Sequence, residues 1–299
     1  LGILIELVEN QYTLCRSIEG ARHALVCYDI LESLHMLMLL LVQGDTNTTL
    51  AASLAVNKQN ILLGHVEAGL RSHDLRMPEE HNRRLVDHIS NYLFAPTEIA
   101  KENLIRENVW GEIHVTGNTV IDACQQHFEI AIKKNNIKKI IDFKENDWVL
   151  LTLHRAENVD NINILKEIIS AIIDIKQVNI IFPIHPRTKK RLMQFNLYSK
   201  IKSIKHIKVI PPVGYFDMLV LMKNVKFILT DSGGIQEEAT APIIHKPVIV
   251  LRESTERPEA VKTGFAKVVG VKKEKIINSI NDFLQKQWDL PKQSPFGDG

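Results

Sequence analysis

The chain has 299 residues and a mass of 34.1 kDa, enough for two domains or one large α/β domain at roughly 100–200 residues per domain. Hydrophobic residues at 45% and charged residues at 24% fit a globular protein and exclude disordered or collagen-like character. A formal charge of +2, from 37 basic and 35 acidic residues, comes without the clustered cations a nucleic-acid binder needs to displace phosphate counterions.

Three cysteines, Cys15, Cys27 and Cys124, are too few and too scattered for a disulfide framework or a zinc site. They read as buried or incidental thiols in a reducing cytosol. The longest apolar stretch, Leu34 to Val42, is broken by His35 and reaches about half the ~20 residues of a membrane helix. The expectation is therefore no nucleic acid and no membrane, with the end of that stretch forming a buried parallel strand.

Residues 1–36 show neither alternation nor a helix cap and stay unassigned. From there the chain alternates short apolar runs with amphipathic stretches, the pattern of βα units on a parallel sheet. Strands are expected at Leu37–Val42, Ile61–His65, Asn91–Ala95 and Ile113–Val115, with helices at Thr48–Val56, Pro78–Ile89 and Glu98–Glu107. A Lys- and Asn-rich segment at residues 133–147 reads as a linker between a domain over 1–132 and one over 148–299. The second domain should carry strands at Trp148–Leu153, Asn179–Ile184, Ile207–Ile210, Lys226–Leu229 and Pro247–Leu251. Its helices are expected at Ile162–Ile175, Phe216–Met222 and Ile235–Thr240.

In open parallel sheets ligands bind beyond the carboxyl ends of the strands. The residues following each strand are therefore the informative ones. Gln43-Gly44-Asp45-Thr46 follows the first, where Asp45 or Thr46 could simply cap the next helix. Glu67 follows the second, inside Gly64-His65-Val66-Glu67-Ala68-Gly69-Leu70-Arg71. Burial there would raise its pKa and suit it to proton transfer, while a structural ion pair with Arg71 is the alternative. Pro78-Glu79-Glu80 starts a helix whose i,i+4 pairs would be Glu79–Arg83 and Glu80–Arg84.

In the second series, Asp231-Ser232-Gly233-Gly234 opens a helix whose first N–H groups and dipole favour an anion. No lysine follows the glycines, so this is not the Walker pattern. Glu238 is placed to accept hydrogen bonds from ribose hydroxyls. His154-Arg155 and His185-Pro186-Arg187 end two further strands, and Arg257 lies after another, all able to donate to phosphate oxygens. Together they suggest a nucleoside diphosphate held by the second domain. No metal-ligand spacing and no dinucleotide-binding glycine motif occurs.

Nine ordered strings carry a resemblance over residues 37–299: LVQGDTNTTLA, GHVEAGLRS, MPEEHNR, FAPTEIAKENL, VTGNTVIDA, LTLHRAEN, PIHPRT, LTDSGGIQEEA and STERPEAV. The chain resembles the non-hydrolysing UDP-N-acetylglucosamine 2-epimerases. That resemblance implies an α/β fold of two Rossmann-like domains facing across a cleft, similar to glycosyltransferase B. It implies interconversion of UDP-GlcNAc and UDP-ManNAc by UDP elimination and re-addition with inversion at sugar carbon 2. No cofactor and no metal are implied.

By motif position Asp45, Glu67 and Glu79 match the family's catalytic carboxylates. His154, Ser232, Gly233, Gly234, Glu238 and Arg257 match UDP-binding residues, with Arg155 and His185 added as substrate contacts. A UDP-sugar substrate, a homodimer for the full-length chain and a cytoplasmic location follow. The family's opening G-T-R-P-E-type turn and its last helix have no counterpart here, so the expectation is a chain truncated at both ends, its first domain incomplete and its activity poor. The other functions in view are a UDP-sugar glycosyltransferase of the same fold, a hydrolysing epimerase and a non-catalytic UDP-sugar binder.

Overall fold

The apolar runs of the first unit, residues 1–117, pair as a parallel sheet. A computed structural model describes residues 38–298 except 60, 144–147 and 286–287, so the unassigned segment 1–36 lies outside the described residues, as do Cys15 and Cys27. The described elements are β1 (Leu39–Gln43), α1 (Asn47–Asn57), β2 (Leu62–Val66), α2 (Pro78–Ile89), β3 (Tyr92–Ala95), α3 (Glu98–Arg106) and β4 (Glu112–Val115). The strands lie in sequence order, each parallel to the next. Short polar side chains start two of the helices: Thr46 Oγ1 accepts from Thr49 N–H at 3.2 Å, and Thr97 Oγ1 from Ala100 N–H at 3.1 Å. Pro78 starts α2.

Val42, Ala55, Val56, Leu63 and Val86 form one apolar cluster, and Ala68, Leu93, Ala95, Ala100 and Leu104 another. The first strand is parallel as expected but only partly buried. Val42 is covered, whereas Leu39 and Leu41 are exposed, because among the described residues β1 is an outer strand paired on one side only.

The second unit, residues 118–299, begins with a helix, α4 (Thr119–Lys134), followed by a 3₁₀ turn at Ile137–Lys139. Then come β5 (Trp148–Thr152), α5 (Ala156–Val159), α6 (Ile162–Asp174), β6 (Asn179–Pro183), α7 (Pro186–Gln194), α8 (Tyr198–Lys202), β7 (Ile207–Ile210), α9 (Tyr215–Asn224) and β8 (Ile228–Thr230). The chain continues through α10 (Gly233–Glu238), β9 (Val248–Val250), α11 (Pro258–Lys262), β10 (Ala266–Val268) and α12 (Lys273–Gln285). All six strands are parallel, in the order β10-β9-β8-β5-β6-β7. This is the Rossmann order, which reverses between β5 and β8. Alternate residues of the buried strands serve opposite faces: Val149, Leu151 and Leu229 join one core, Leu150, Ile228 and Val248 the other.

The expected boundary near residue 132 needs correcting. Ile121, Cys124, Phe128 and Ala131 bury the apolar stripe of α4 in the second core, beside Leu219 and Ile235. The units part after Gly117 instead. Ile137 and Ile141, within the presumed linker, are also buried in that core. Lysine and asparagine there mark a solvated helix end and not a division of the fold. No helix among the described residues is long and apolar enough to cross a membrane.

Candidate functional site

Register puts the first unit's carboxylates side by side. Gln43, the last residue of β1, is paired with Val66, the last of β2, so Asp45 and Glu67 leave adjacent strand ends. Gln43 Nε2 donates to Glu67 Oε1 at 2.9 Å. Glu67 has a φ of +70°, a left-handed backbone that costs a non-glycine residue about 1–3 kcal/mol and persists where the surroundings impose it. Two residues on, Gly69 has a φ of +81°, and a Cβ there would lie 2.3 Å from the Ala100 carbonyl oxygen, so only glycine fits. Arg71 pairs with Asp87 at 2.8 Å and with Glu107 at 2.6 Å.

Thr46, not Asp45, caps α1, which leaves the Asp45 carboxylate for Arg83 Nη1 at 2.5 Å. Arg83 is buried and also meets Glu80 at 2.8 Å. The anticipated Glu80–Arg84 pair is present at 3.4 Å, but Arg83 is taken by Asp45 and Glu80. Glu79, half-buried in the first turn of α2, has no hydrogen-bond or ion-pair partner among the described residues. Its neighbour Glu80 is structural: it accepts from Ser72 N–H, Ser72 Oγ–H and His73 N–H, tying down the preceding turn. Burial opposes the Glu80 charge, yet Arg83 and the Ser72 bonds hold its carboxyl down to about 2. Asp45 and Glu67 thus leave one strand-end edge of the first unit, and Glu79 opens the helix whose Arg83 pairs with Asp45.

The second unit collects its candidates at the β5/β8 reversal, where a doubly wound sheet opens a crevice. Thr152 and Thr230, ending these strands, share a hydroxyl hydrogen bond of 2.6 Å. Asp231, fully buried, accepts from His154 N–H at 3.1 Å and Arg155 N–H at 3.0 Å, and lies 3.2 Å from His154 Nδ1. Asn158 Nδ2 donates to it as well. Asp231 therefore staples the turn after β5 to the turn after β8. The His154 ring reaches solvent and lies 5.7 Å, centroid to centroid, from that of His185, which caps α7 by accepting from Arg187 N–H. Partial burial, His154 and Arg187 all push the His185 pKa down.

Ser232 caps α10, its Oγ accepting from Ile235 N–H. At Gly233 a Cβ would lie 2.4 Å from Glu256 Oε1, whereas Gly234 is exposed with nothing within 4 Å of that position. The first N–H groups of a helix have no intrahelical acceptor, and these glycines leave them unscreened. Arg155 Nη2 donates to Glu256 at 3.1 Å, and Arg252 lies 2.7 Å from it. Although burial opposes it, Arg257, Arg252 and Arg155 hold the Glu256 carboxyl at about 2. Arg257 is buried, its Nε 2.5 Å from Glu237, which also accepts from Asn118 Nδ2. Glu238 ends α10, and desolvation pushes its carboxyl up to about 7.

His154, Arg155, Ser232, Gly233, Gly234 and Arg257 come together around Asp231 and Glu256; His185 flanks His154, and Glu238 lies at the far end of the short helix. Several organising residues escape a reading of sequence alone: Gln43, His65, Arg83, Asp87, Asp231 and Glu256. A histidine inside an apolar strand is the available signal for His65. The partners of the others are set by tertiary pairing.

A family model for UDP-N-acetylglucosamine 2-epimerase matches residues 25–299. The chain belongs to the UDP-N-acetylglucosamine 2-epimerase family. It is 53% identical to the UDP-N-acetylglucosamine 2-epimerase of Methanocaldococcus jannaschii over 86% of this chain and 71% of that protein. The Escherichia coli K12 enzyme of the same name is 38% identical over 95% of this chain and 77% of its own length. Among solved structures, the Methanocaldococcus jannaschii epimerase in complex with UDP-GlcNAc and UDP superposes with a TM-score of 0.85 at 50% identity, covering 94% of this chain and 77% of that one. The Neisseria meningitidis epimerase bound to UDP-GlcNAc gives 0.82 at 37% identity, covering 93% and 77%.

Proposed function

We propose that this member of the epimerase family interconverts UDP-GlcNAc and UDP-ManNAc. In the forward direction the C2–H and C1–O bonds break, a C1=C2 double bond forms and UDP departs. Re-addition of UDP and delivery of a proton to the other face of carbon 2 give the epimer. Asp45, Glu67 and Glu79 supply the acid/base groups. His154, Arg155, His185, Ser232, Gly233, Gly234 and Arg257 serve the diphosphate, directly or by fixing the groups that do, and Glu238 serves the ribose.

The observation that supports this reading is that Asp45 and Glu67 leave adjacent strand ends, with Glu67 held in a strained backbone, while Glu79 opens α2 without a partner among the described residues. A module that only bound a UDP-sugar would have no use for them. Anion stabilisation of departing UDP is consistent with the cations and glycines at the β5/β8 reversal. A cytoplasmic location and a homodimer go with the same reading, both implied by the family resemblance.

Solvent deuterium tests it. Incubating the protein with UDP-GlcNAc in heavy water should place label at carbon 2 and yield UDP-ManNAc. Asp45→Asn, Glu67→Gln and Glu79→Gln should each lower turnover by about 100-fold or more, the scale of acid/base assistance. Wild-type rates in all three would remove the acid/base assignment, absence of label at carbon 2 would point to a transferase, and accumulation of UDP with free sugar would point to a hydrolysing epimerase.

A further inference from the structure

His65 sits behind these carboxylates, on β2, fully buried. Its Nδ1 lies 2.6 Å from Asp87 Oδ1 and its Nε2 lies 2.9 Å from the carbonyl oxygen of Gly44. A carbonyl cannot donate. The Asp87 carboxyl is ionised as well: its other oxygen lies 2.8 Å from Arg71 Nη2 and accepts from Gly69 N–H at 3.2 Å. Both ring nitrogens therefore face acceptors, which only the doubly protonated imidazole satisfies. With Glu107 on the far side of Arg71, two cations and two anions alternate through the interior of the unit.

Two members of this row, His65 and Asp87, grip the backbone on either side of the reacting groups. Gly44, held by its carbonyl, precedes Asp45. Gly69, held by its N–H, follows Glu67 by two residues. Asp87 itself is on α2, the helix that carries Glu79 and the Arg83 that pairs with Asp45. We infer that His65, kept as an imidazolium between Asp87 and the Gly44 carbonyl, is a positioning residue that sets the Asp45 turn against the Glu67 turn. This rests on the reading of Asp45 and Glu67 as acid/base groups.

Removing the ring proton would turn a lone pair onto the Gly44 carbonyl or the Asp87 carboxylate and push that turn away. The charged groups facing His65 are Asp87 from α2 and Glu67 from the segment after β2, with Arg71 acting through Asp87 and Glu107, at the end of α3, through Arg71; β1 is followed by the Gly44 carbonyl. Burial opposes the ring's charge, but Asp87, the Gly44 carbonyl and Glu67 together raise its pKa above 6.5.

The test combines nitrogen NMR of the histidine ring with kinetics on the whole chain. Near neutral pH both His65 nitrogens should read as N–H, and on raising the pH the Asp45 and Gly69 amide resonances should shift with the ring's midpoint. The wild-type kcat for UDP-GlcNAc should fall along that same alkaline limb with little change in KM. His65→Gln and Asp87→Asn should each lower kcat by about 100-fold at nearly constant KM, the cost of an ångström-scale misplacement, and abolish the limb. A single ring N–H near neutrality, amides that ignore the ring's titration, or folded His65→Gln with wild-type kcat and pH profile would each overturn the inference. Should the variants not fold, the wild-type titration and amide shifts decide alone. Failure of the wild-type protein to turn over UDP-GlcNAc would sink the functional reading and leave the protonation of His65, measured by NMR, as a separate result.

Discussion

The strand-end edges of the two units are built with opposite polarity. In the first, a buried cation stands behind a carboxylate, Arg83 beneath Asp45, while His65 and Arg71 pair with the buried Asp87 further in. In the second, buried acids stand behind cations and N–H groups: Asp231 beneath His154 and Arg155, Glu256 against Arg155, Arg252 and Arg257. A buried charge is tolerated only when paired and hydrogen-bonded, so each unit presents the charge its interior partner stabilises. On the proposed function, the first edge moves protons and the second holds an anion.

The most damaging way to break this comparison is to remove an interior partner. Arg83→Met should destabilise the first unit by about 3–5 kcal/mol, because Asp45 and Glu80 lose their shared cation while Glu80 stays buried. Urea denaturation would measure it, and a loss below about 1 kcal/mol, the scale of an exposed pair, would show that Arg83 does not prop this edge. Asp231→Asn should cost somewhat less, about 1–3 kcal/mol, since an amide oxygen still accepts some of the His154, Arg155 and Asn158 bonds. It should also weaken UDP binding by calorimetry, and unchanged affinity would detach Asp231 from the anion edge.

Acid should affect both edges in the same direction. Glu80 and Glu256 each have a folded pKa of about 2 against an ordinary 4.5, so the stability they lend is fully present above pH 4.5 and is lost as pH falls toward 2. Glu80→Gln and Glu256→Gln should each flatten the acid limb of a thermal-melting profile. Glu238 in the second unit works in the other direction. Its folded pKa is raised to about 7, so the stability it lends is fully present below pH 4.5 and is lost as pH rises toward 7. Glu238→Gln should remove that loss. The smallest expected effect is at Glu67. Glu67→Gly should not lower the Tm although it breaks the bond from Gln43, because glycine relieves the left-handed backbone, while turnover is lost. A clear drop in Tm would mean the strain is not there.

Much of this is legible from residue pattern. Apolar runs bounded by turns mark nine of the ten described strands, and the three carboxylates and the glycine-led helix start are readable because strand ends are where such sheets bind ligands. The strand Ala266–Val268 escapes the pattern, three residues being too short for alternation to register. Helix Lys273–Gln285 is absent from the expected elements although Ile276, Ile280 and Leu284 recur at helical spacing. Helix Thr119–Lys134 is likewise absent from the expected elements, and it belongs to the second unit and not the first, since even an amphipathic stripe shows that a helix buries one face but not against what.

The order of βα elements, the turns between them and the residue types offered at each strand end follow from the sequence itself, because side-chain period and turn chemistry are local. The pairing of charges does not. Asp45 and Arg83 are 38 residues apart and His154 and Asp231 are 77 apart. They meet because parallel pairing brings β1 beside β2 under α2, and β5 beside β8. Which carboxylate is stapled to backbone, which is paired with an arginine and which histidine faces two acceptors was decided by tertiary structure, where burial makes each unpaired charge costly enough to select its partner.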